Sequence, residues 1–364
     1  MLGEKKYDII TTTMLLALKR SFISKPLLES LQKLPEQISS VIKDEKNFAL
    51  NFSAGDIETI VINGMGGSNL GGYVIQSIFR DRLKIPLLIE PGYDVPGYVN
   101  SKTLYIISSY SGSTEEPIAA YKIAKRRGAM IIVLCSDNDS SLKKLALRDN
   151  VAHYFFATSS NPSNQPRLGL GYGVSSLLML FKKLNFLSIK DKDLEVIISQ
   201  LKRKNSILSK KGNEAEQLAK KLVGHEALII GGQLFEGNLR IMRNQWCETG
   251  KNFASYLVVP DMNHFSLEGL GKPVSNKKRL VAIEIQSSLY DAKIKKRLEL
   301  TKEIIKRQGI KVVSYLPAGK TPLAQSFDLL QFGSWLTYYL SIQNHVDPLP
   351  VPWVDWFKKQ LLTK

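Results

Sequence analysis

Glu248 stands in Asn244-Gln245-Trp246-Cys247-Glu248-Thr249-Gly250-Lys251-Asn252, a mostly uncharged stretch at the end of a helix-like run. A carboxylate with aromatic neighbours and partial burial is a candidate general base, because desolvation raises its pKa toward the working range. Three other groups suit the same chemistry. Arg167, in Pro166-Arg167-Leu168-Gly169, carries a permanent charge that can offset an oxyanion without competing for the proton. His264, in Pro260-Asp261-Met262-Asn263-His264-Phe265, carries an imidazole, the side chain suited to shuttling a proton. Lys251 can pair with Glu248 or meet substrate hydroxyls. Each also has a plainer reading: a solvated helix end, a surface ion pair, a packed histidine.

Two small-residue turns could anchor what these groups act on. Thr59-Ile60-Val61-Ile62-Asn63-Gly64-Met65-Gly66-Gly67-Ser68 and Leu104-Tyr105-Ile106-Ile107-Ser108-Ser109-Tyr110-Ser111-Gly112-Ser113-Thr114 each follow a β-branched run and precede helical sequence. Glycines let backbone N–H groups close on an anion, and hydroxyls add donors where a helix points its positive end. Gly66, Gly67, Ser68, Ser109, Ser111 and Thr114 are the candidate ligands. No nucleotide lysine follows either turn, so the matched pair points to a compact phosphate on a sugar-sized molecule. The dinucleotide fingerprint is a competing reading, with Glu90 at the distance of a ribose-binding acid, but its third glycine fails at Asn69. Glycines that only make tight turns are another.

The elements that must carry these residues alternate. Strands are expected at Glu58–Asn63, Pro86–Ile89, Leu104–Ser108 and Ala129–Cys135, with helices over about 68–81 and Glu115–Arg127 and an apolar helix running to about Leu184. A helix over about 13–44, with Leu27, Leu28, Leu31, Leu34 and Ile38 as its stripe, is expected to break locally at Pro35. The charged segment from 188 to 222 reads as helices joining two halves. Beyond it the pattern repeats: Ala227–Gly232 answers Glu58–Gly64, Arg279–Ile285 answers Thr103–Ser108, and Ile310–Tyr315 answers Ala129–Leu134. Gln286-Ser287-Ser288 stands where Ser109–Thr114 stood, so only the first half should hold phosphate. The fold class is therefore α/β, two tandem doubly wound domains with mainly parallel sheets flanked by helices, divided as 1–187 and 188–364.

Composition narrows the function. The 364 residues carry a net charge of +17, which raises nucleic-acid binding as a possibility. The densest basic stretches, Lys202–Lys211, Asn276–Arg279 and Lys293–Arg307, instead read as solvated faces, and no docking motif accompanies them. No nucleic-acid or membrane partner is expected. Cys135 and Cys247 suit reduced thiols of a cytoplasmic protein. His153, His225, His264 and His345 show no ligand spacing among themselves or with the cysteines, so no metal and no cofactor are expected.

Gly66-Gly67-Ser68 and Ser109–Thr114 resemble the phosphosugar-binding loops of sugar isomerase (SIS) domains. With Glu248, Lys251 and His264 the whole resembles the bifunctional phosphoglucose/phosphomannose isomerases, from Leu34-Pro35-Glu36-Gln37-Ile38 to Val346-Asp347-Pro348-Leu349-Pro350. The resemblance implies that Ser68, Ser109, Ser111 and Thr114 hold phosphate, Arg167 faces the reacting carbons, Glu248 is the base and His264 opens the sugar ring. It implies interconversion of glucose 6-phosphate, and mannose 6-phosphate as a further substrate, with fructose 6-phosphate. A homodimer is implied too, in which His264 can reach a neighbouring site. The chemistry agrees: moving a proton from C2 to C1 through an enediolate takes one carboxylate on one face and no cofactor. A non-catalytic SIS module that senses a phosphosugar is the alternative of another class.

Two departures stand out. Phe265-Ser266-Leu267 follows His264 where the resembled enzymes usually have asparagine and glutamate, and the acid before it is Asp261. Related enzymes bring a polar helix, in some cases with a lysine, over the sugar, yet no lysine lies between Lys320 and Lys358. Gln331, Ser334 and Thr337 are the polar groups available there, and Gln331 and Thr337 are carried as candidate substrate contacts.

Overall fold

The computed structural model describes residues 24–362. The β-branched runs form two sheets. Strands β1 (Thr59–Asn63), β2 (Leu87–Ile89), β3 (Thr103–Ser109), β4 (Met130–Ser136) and β5 (Ala152–Phe156) make the first, in the order β2-β1-β3-β4-β5. Strands β6 (Glu226–Gly232), β7 (Ala254–Val259), β8 (Leu280–Ile285) and β9 (Lys311–Tyr315) make the second, in the order β7-β6-β8-β9. Every ladder is parallel. Strand for strand the second order copies the first, so the repeat of spacing in the sequence is a repeat of topology.

The central strands are apolar through their middles because both faces are covered. Ile60, Ile62, Leu104 and Ile106 enter the main core, while their neighbours Val61, Tyr105 and Ile107 enter a second cluster with Tyr121 and Leu142 on the opposite face. The main core is continuous through both sheets. Near the start, the leucine stripe forms two helices, Lys25–Gln32 and Leu34–Lys43, with Pro35 in the first turn of the second. The expected helix before residue 24 lies outside the described residues. The charged segment is helical at Asp191–Leu208 and Glu214–Leu222. Along Ala292–Arg307 only Leu298, Thr301 and Ile305 are buried, which leaves the basic side chains outward. Among the described residues no helix is long and apolar enough to cross a membrane.

Six helices matter for the site. They are α1 (Gly67–Ile78), α2 (Glu115–Arg126), α3 (Leu170–Lys183), α4 (Glu236–Glu248), α5 (Pro322–Gln343) and α6 (Pro352–Leu362). The first and fourth join the two halves. A Cβ on Gly237 would lie 2.5 Å from the Tyr73 carbonyl carbon, so glycine is what lets α4 approach α1 this closely. The Gly237 N–H also donates to Ser77 Oγ at 3.3 Å. The start of α4 is thus pinned to the C-terminal half of α1. From Gly237 to Glu248 the helix rises about 16 Å at ~1.5 Å per residue, nearly the length from Ser77 back to Gly67. Antiparallel packing of the two helices therefore carries Glu248 toward the turn that begins α1.

Candidate active site

The two small-residue turns meet at the carboxyl edge of the first sheet. Gly66 caps α1 with φ 52°, a left-handed conformation that favours glycine. The Tyr110 N–H donates to Ser68 Oγ at 2.9 Å and Ser108 Oγ donates to the Ser68 carbonyl at 2.7 Å, which latches the β1 turn to the β3 turn. In the second turn Ser109 Oγ donates to Thr114 Oγ1 at 3.3 Å, and Ser111 Oγ lies 3.4 Å from the same oxygen. Thr114 is the N-cap of α2, yet its side chain caps no backbone N–H. Three hydroxyls thus gather at a helix N-terminus; Ser109 and Ser111 Oγ also accept the Gly112 and Ser113 N–H at 3.2 and 3.3 Å, which holds the turn closed around them.

Arg167 joins this edge to the second half. A Cβ on Gly67 would lie 3.6 Å from the Pro166 carbonyl and 3.7 Å from Arg167 Cα, so the arginine's turn rests on the phosphate turn. The guanidinium is 6% exposed. Its Nη1 donates to Gln165 Oε1 at 2.7 Å, and Nη2 donates to the Pro348 and Leu349 carbonyls at 3.0 and 2.6 Å. The buried Nε–H has no partner among the described residues. Burial pulls this guanidinium below its ordinary value, and the nearby charges of Glu248, Asp355 and Asp347 oppose the shift. An arginine remains charged under such conditions.

Glu248 is the last residue of α4 and is partly buried. Burial raises its pKa, while Arg167, Lys251 and Lys358 pull it back down. Among the described residues its carboxylate accepts no hydrogen bond, so it is available to take a proton. Lys251 has φ 52° after Gly250, and this turn brings its Nζ back to donate to the Glu248 carbonyl at 2.7 Å. The same amine donates to the Pro350 carbonyl. An anion-ready edge, an arginine, an unbonded carboxylate and a lysine therefore succeed one another across the seam between the halves.

Other expected residues fall elsewhere. His264 lies in the turn Asp261–His264 after β7 and is exposed; among the described residues its imidazole has no hydrogen bond, ion pair or ring contact, and the charges that act on Glu248 are those of Arg167, Lys251 and Lys358. Gln331 and Thr337 are corrected: both are fully buried on α5. Gln331 Nε2 donates to the Leu201 carbonyl at 3.0 Å, and Thr337 Oγ1 donates to the Gly333 carbonyl at 2.8 Å. Their polar atoms face the protein interior, where Gln331 Oε1 has no partner among the described residues. Charged groups of the tail act on the site. Lys358, at the far boundary of the interval searched for a lysine, lies on α6 close enough to influence Glu248, and Asp347 and Asp355 act on Arg167 and Lys251. Asp347 stands in the Val346–Pro350 stretch that carries the resemblance, but no local pattern in the sequence gives it, Asp355 or Lys358 a place at the site, because they reach it by a long return of the chain.

Comparison with known proteins gives the same picture. The SIS domain model matches residues 56–164 and the bacterial phospho-glucose isomerase C-terminal SIS domain model matches residues 211–361. A protein of Caldicellulosiruptor bescii named bifunctional phosphoglucose/phosphomannose isomerase is 34% identical over 92% of this chain and 98% of its own length. This chain belongs to the bifunctional phosphoglucose/phosphomannose isomerase family. A Thermoplasma volcanium protein of the same name is 29% identical over 88% of this chain and 97% of its own. In fold, the chain is similar to the crystal structure of tagatose-6-phosphate ketose/aldose isomerase from Escherichia coli. The TM-score is 0.68 with 14% identity, covering 90% of this chain and 96% of that one.

Proposed function

We propose that this family member interconverts glucose 6-phosphate and mannose 6-phosphate with fructose 6-phosphate, using Glu248 as the proton carrier. The phosphate sits on Ser68, Ser109, Ser111 and Thr114 at the α1 and α2 N-termini, in a first half that ends near residue 187. Glu248 removes the C2 proton of the open-chain aldose; the electron pair left at C2 forms the C1–C2 double bond and the carbonyl pair moves onto O1, giving an enediolate whose charge the Arg167 guanidinium offsets. The O2 proton passes to O1 as C2 becomes the ketone, and Glu248 delivers to C1 a proton that can exchange with solvent while it is held. Water between the groups is limited because Arg167 is buried, which strengthens that interaction. Lys251 meets the sugar hydroxyls. His264, exposed and without partners in its own chain, serves ring opening at the site of a neighbouring subunit in a homodimer.

The observation that carries this reading is the continuous succession from the hydroxyl turns through Gly67 and Arg167 to the unbonded carboxylate of Glu248. The test is isomerisation of fructose 6-phosphate in D₂O, followed by deuterium at C2 of the aldose product. Wild-type protein should incorporate it and Glu248→Gln should not, while the variant still binds substrate. Tight binding without exchange in the wild type would indicate a sensor instead.

A further inference from the structure

The tail over the site is built around one acid that the reaction scheme does not use. Asp347 Oδ1 accepts the Leu349 N–H at 2.9 Å, closing a turn across Pro348. An aspartate bonded to the backbone two residues on mimics a backbone turn, and the proline between them fixes φ and adds no competing donor. The result is that three successive carbonyls serve two cations: Pro348 and Leu349 accept from Arg167 Nη2, and Pro350 accepts from Lys251 Nζ. Both cations also feel the Asp347 charge directly.

Building on the isomerase reading above, we infer that Asp347 is a positioning residue: by folding the tail it holds Arg167 and Lys251 in register beside Glu248. The role is geometric first, because the turn decides where the carbonyls point. It is electrostatic second. Lys251 is faced by Arg167 from the turn before α3, by Glu248 from α4, by Asp347 from the tail and by Asp355 from α6. Burial and Arg167 favour loss of its proton, and the three acids favour keeping it. Removing one acid lets the amine deprotonate at lower pH. The α6 helix beyond the turn is exposed from Pro352 to Leu361, so little of the core depends on the tail.

Asp347→Ala and Asp347→Asn separate the two roles. For fructose 6-phosphate, the alanine variant should lose roughly ten- to a hundredfold in kcat, the scale of a small misplacement of catalytic groups. Competitive inhibition by inorganic phosphate, which reads the distant hydroxyl turns, should stay as in the wild type. Asparagine keeps the acceptor for the Leu349 N–H and should recover most of kcat, yet the alkaline limb of its kcat profile should lie at lower pH than in the wild type. Unchanged kcat and pH profile in the alanine variant would overturn the inference, as would loss of phosphate inhibition together with kcat in both variants. If the alanine variant does not fold, an unshifted alkaline limb in the asparagine variant overturns it. A wild-type protein that does not isomerise sugar phosphates sinks the functional reading, whereas an active wild type with indistinguishable variants sinks this inference alone.

Discussion

At the carboxyl ends of β1 and β3 the chain leaves hydroxyls facing a helix N-terminus, whereas at the matching ends of β6 and β8 it fills the space with its own side chains. Tyr290 takes the Gly232 N–H on its phenol oxygen at 2.9 Å, and a Cβ on Gly232 would lie 2.8 Å from its ring. Ser287 Oγ donates to Gln325 Oε1 at 2.6 Å, and Gln325 Nε2 donates to Ser288 Oγ at 3.0 Å and to the Gly319 carbonyl at 2.9 Å. The topology is duplicated and the chemistry is not. At the open edge the internal bonds of the hydroxyls stay within the two turns, whereas at the closed edge they run to side chains of Tyr290 and Gln325 that fill the space. Closing the second edge gives α4 and α5 a rigid base, and α4 is what presents Glu248 to the open one.

The comparison breaks most visibly at Glu248. Glu248→Gln should lower kcat by roughly a hundred- to ten-thousandfold, the range of a positioned base, with substrate affinity little changed. Steady-state kinetics together with calorimetric binding checks this. A smaller loss follows at the open edge. Thr114→Val removes one donor to a dianion, about 1.5–3 kcal/mol, so KM should rise by roughly ten- to a hundredfold with kcat less affected. At the closed edge the sign of the readout changes: Tyr290→Phe should leave both kinetic constants unchanged and cost about 1–3 kcal/mol of stability, measured by denaturant unfolding, because only the internal hydrogen bonds with the Gly232 N–H and the Ile285 carbonyl are lost. Slower turnover without destabilisation would mean that the second edge takes part in the reaction.

The smallest expected effect is on pH. A folded-state pKa raised by burial means that Glu248 takes up its proton at higher pH than an ordinary glutamate near ~4.3, so the acid limb of kcat/KM should lie above that value. Lys358 holds the shift down by stabilising the carboxylate. Lys358→Met should therefore move the acid limb further up, and a downward move would contradict the assignment.

Much of this was legible in sequence where one residue type dominates an element. β1, β3, β4 and β8 are continuous apolar runs, and the two turns announce themselves by crowded serine and glycine. β5 and β7 were not foreseen. In β5 the run Ala152-His153-Tyr154-Phe155-Phe156 is aromatic where β-branched residues were sought, and its side chains alternate between buried and half-exposed. In β7, an edge strand, Ser255 is exposed and Tyr256, Leu257 and Val258 are only half-buried, which blurs the pattern. Gln331 and Thr337 are not legible as internal groups, because polarity on a helix reads as a ligand surface, while a threonine bonded to the carbonyl four residues back can be wholly internal. The roles of Asp347, Asp355 and Lys358 are hidden for another reason. They depend on the tail returning across both halves, and no local spacing encodes such a return.

The central claim is that hydroxyls of the first half fix the phosphate while the carboxylate from the second half meets the carbon chain. A crystal structure of the Glu248→Gln variant with fructose 6-phosphate tests it directly. The phosphate should contact Ser68, Ser109, Ser111 and Thr114, with C1 and C2 about 3–3.5 Å from the residue 248 side chain. A phosphate bound elsewhere, or a carbon chain turned away from residue 248 in every subunit, would contradict it.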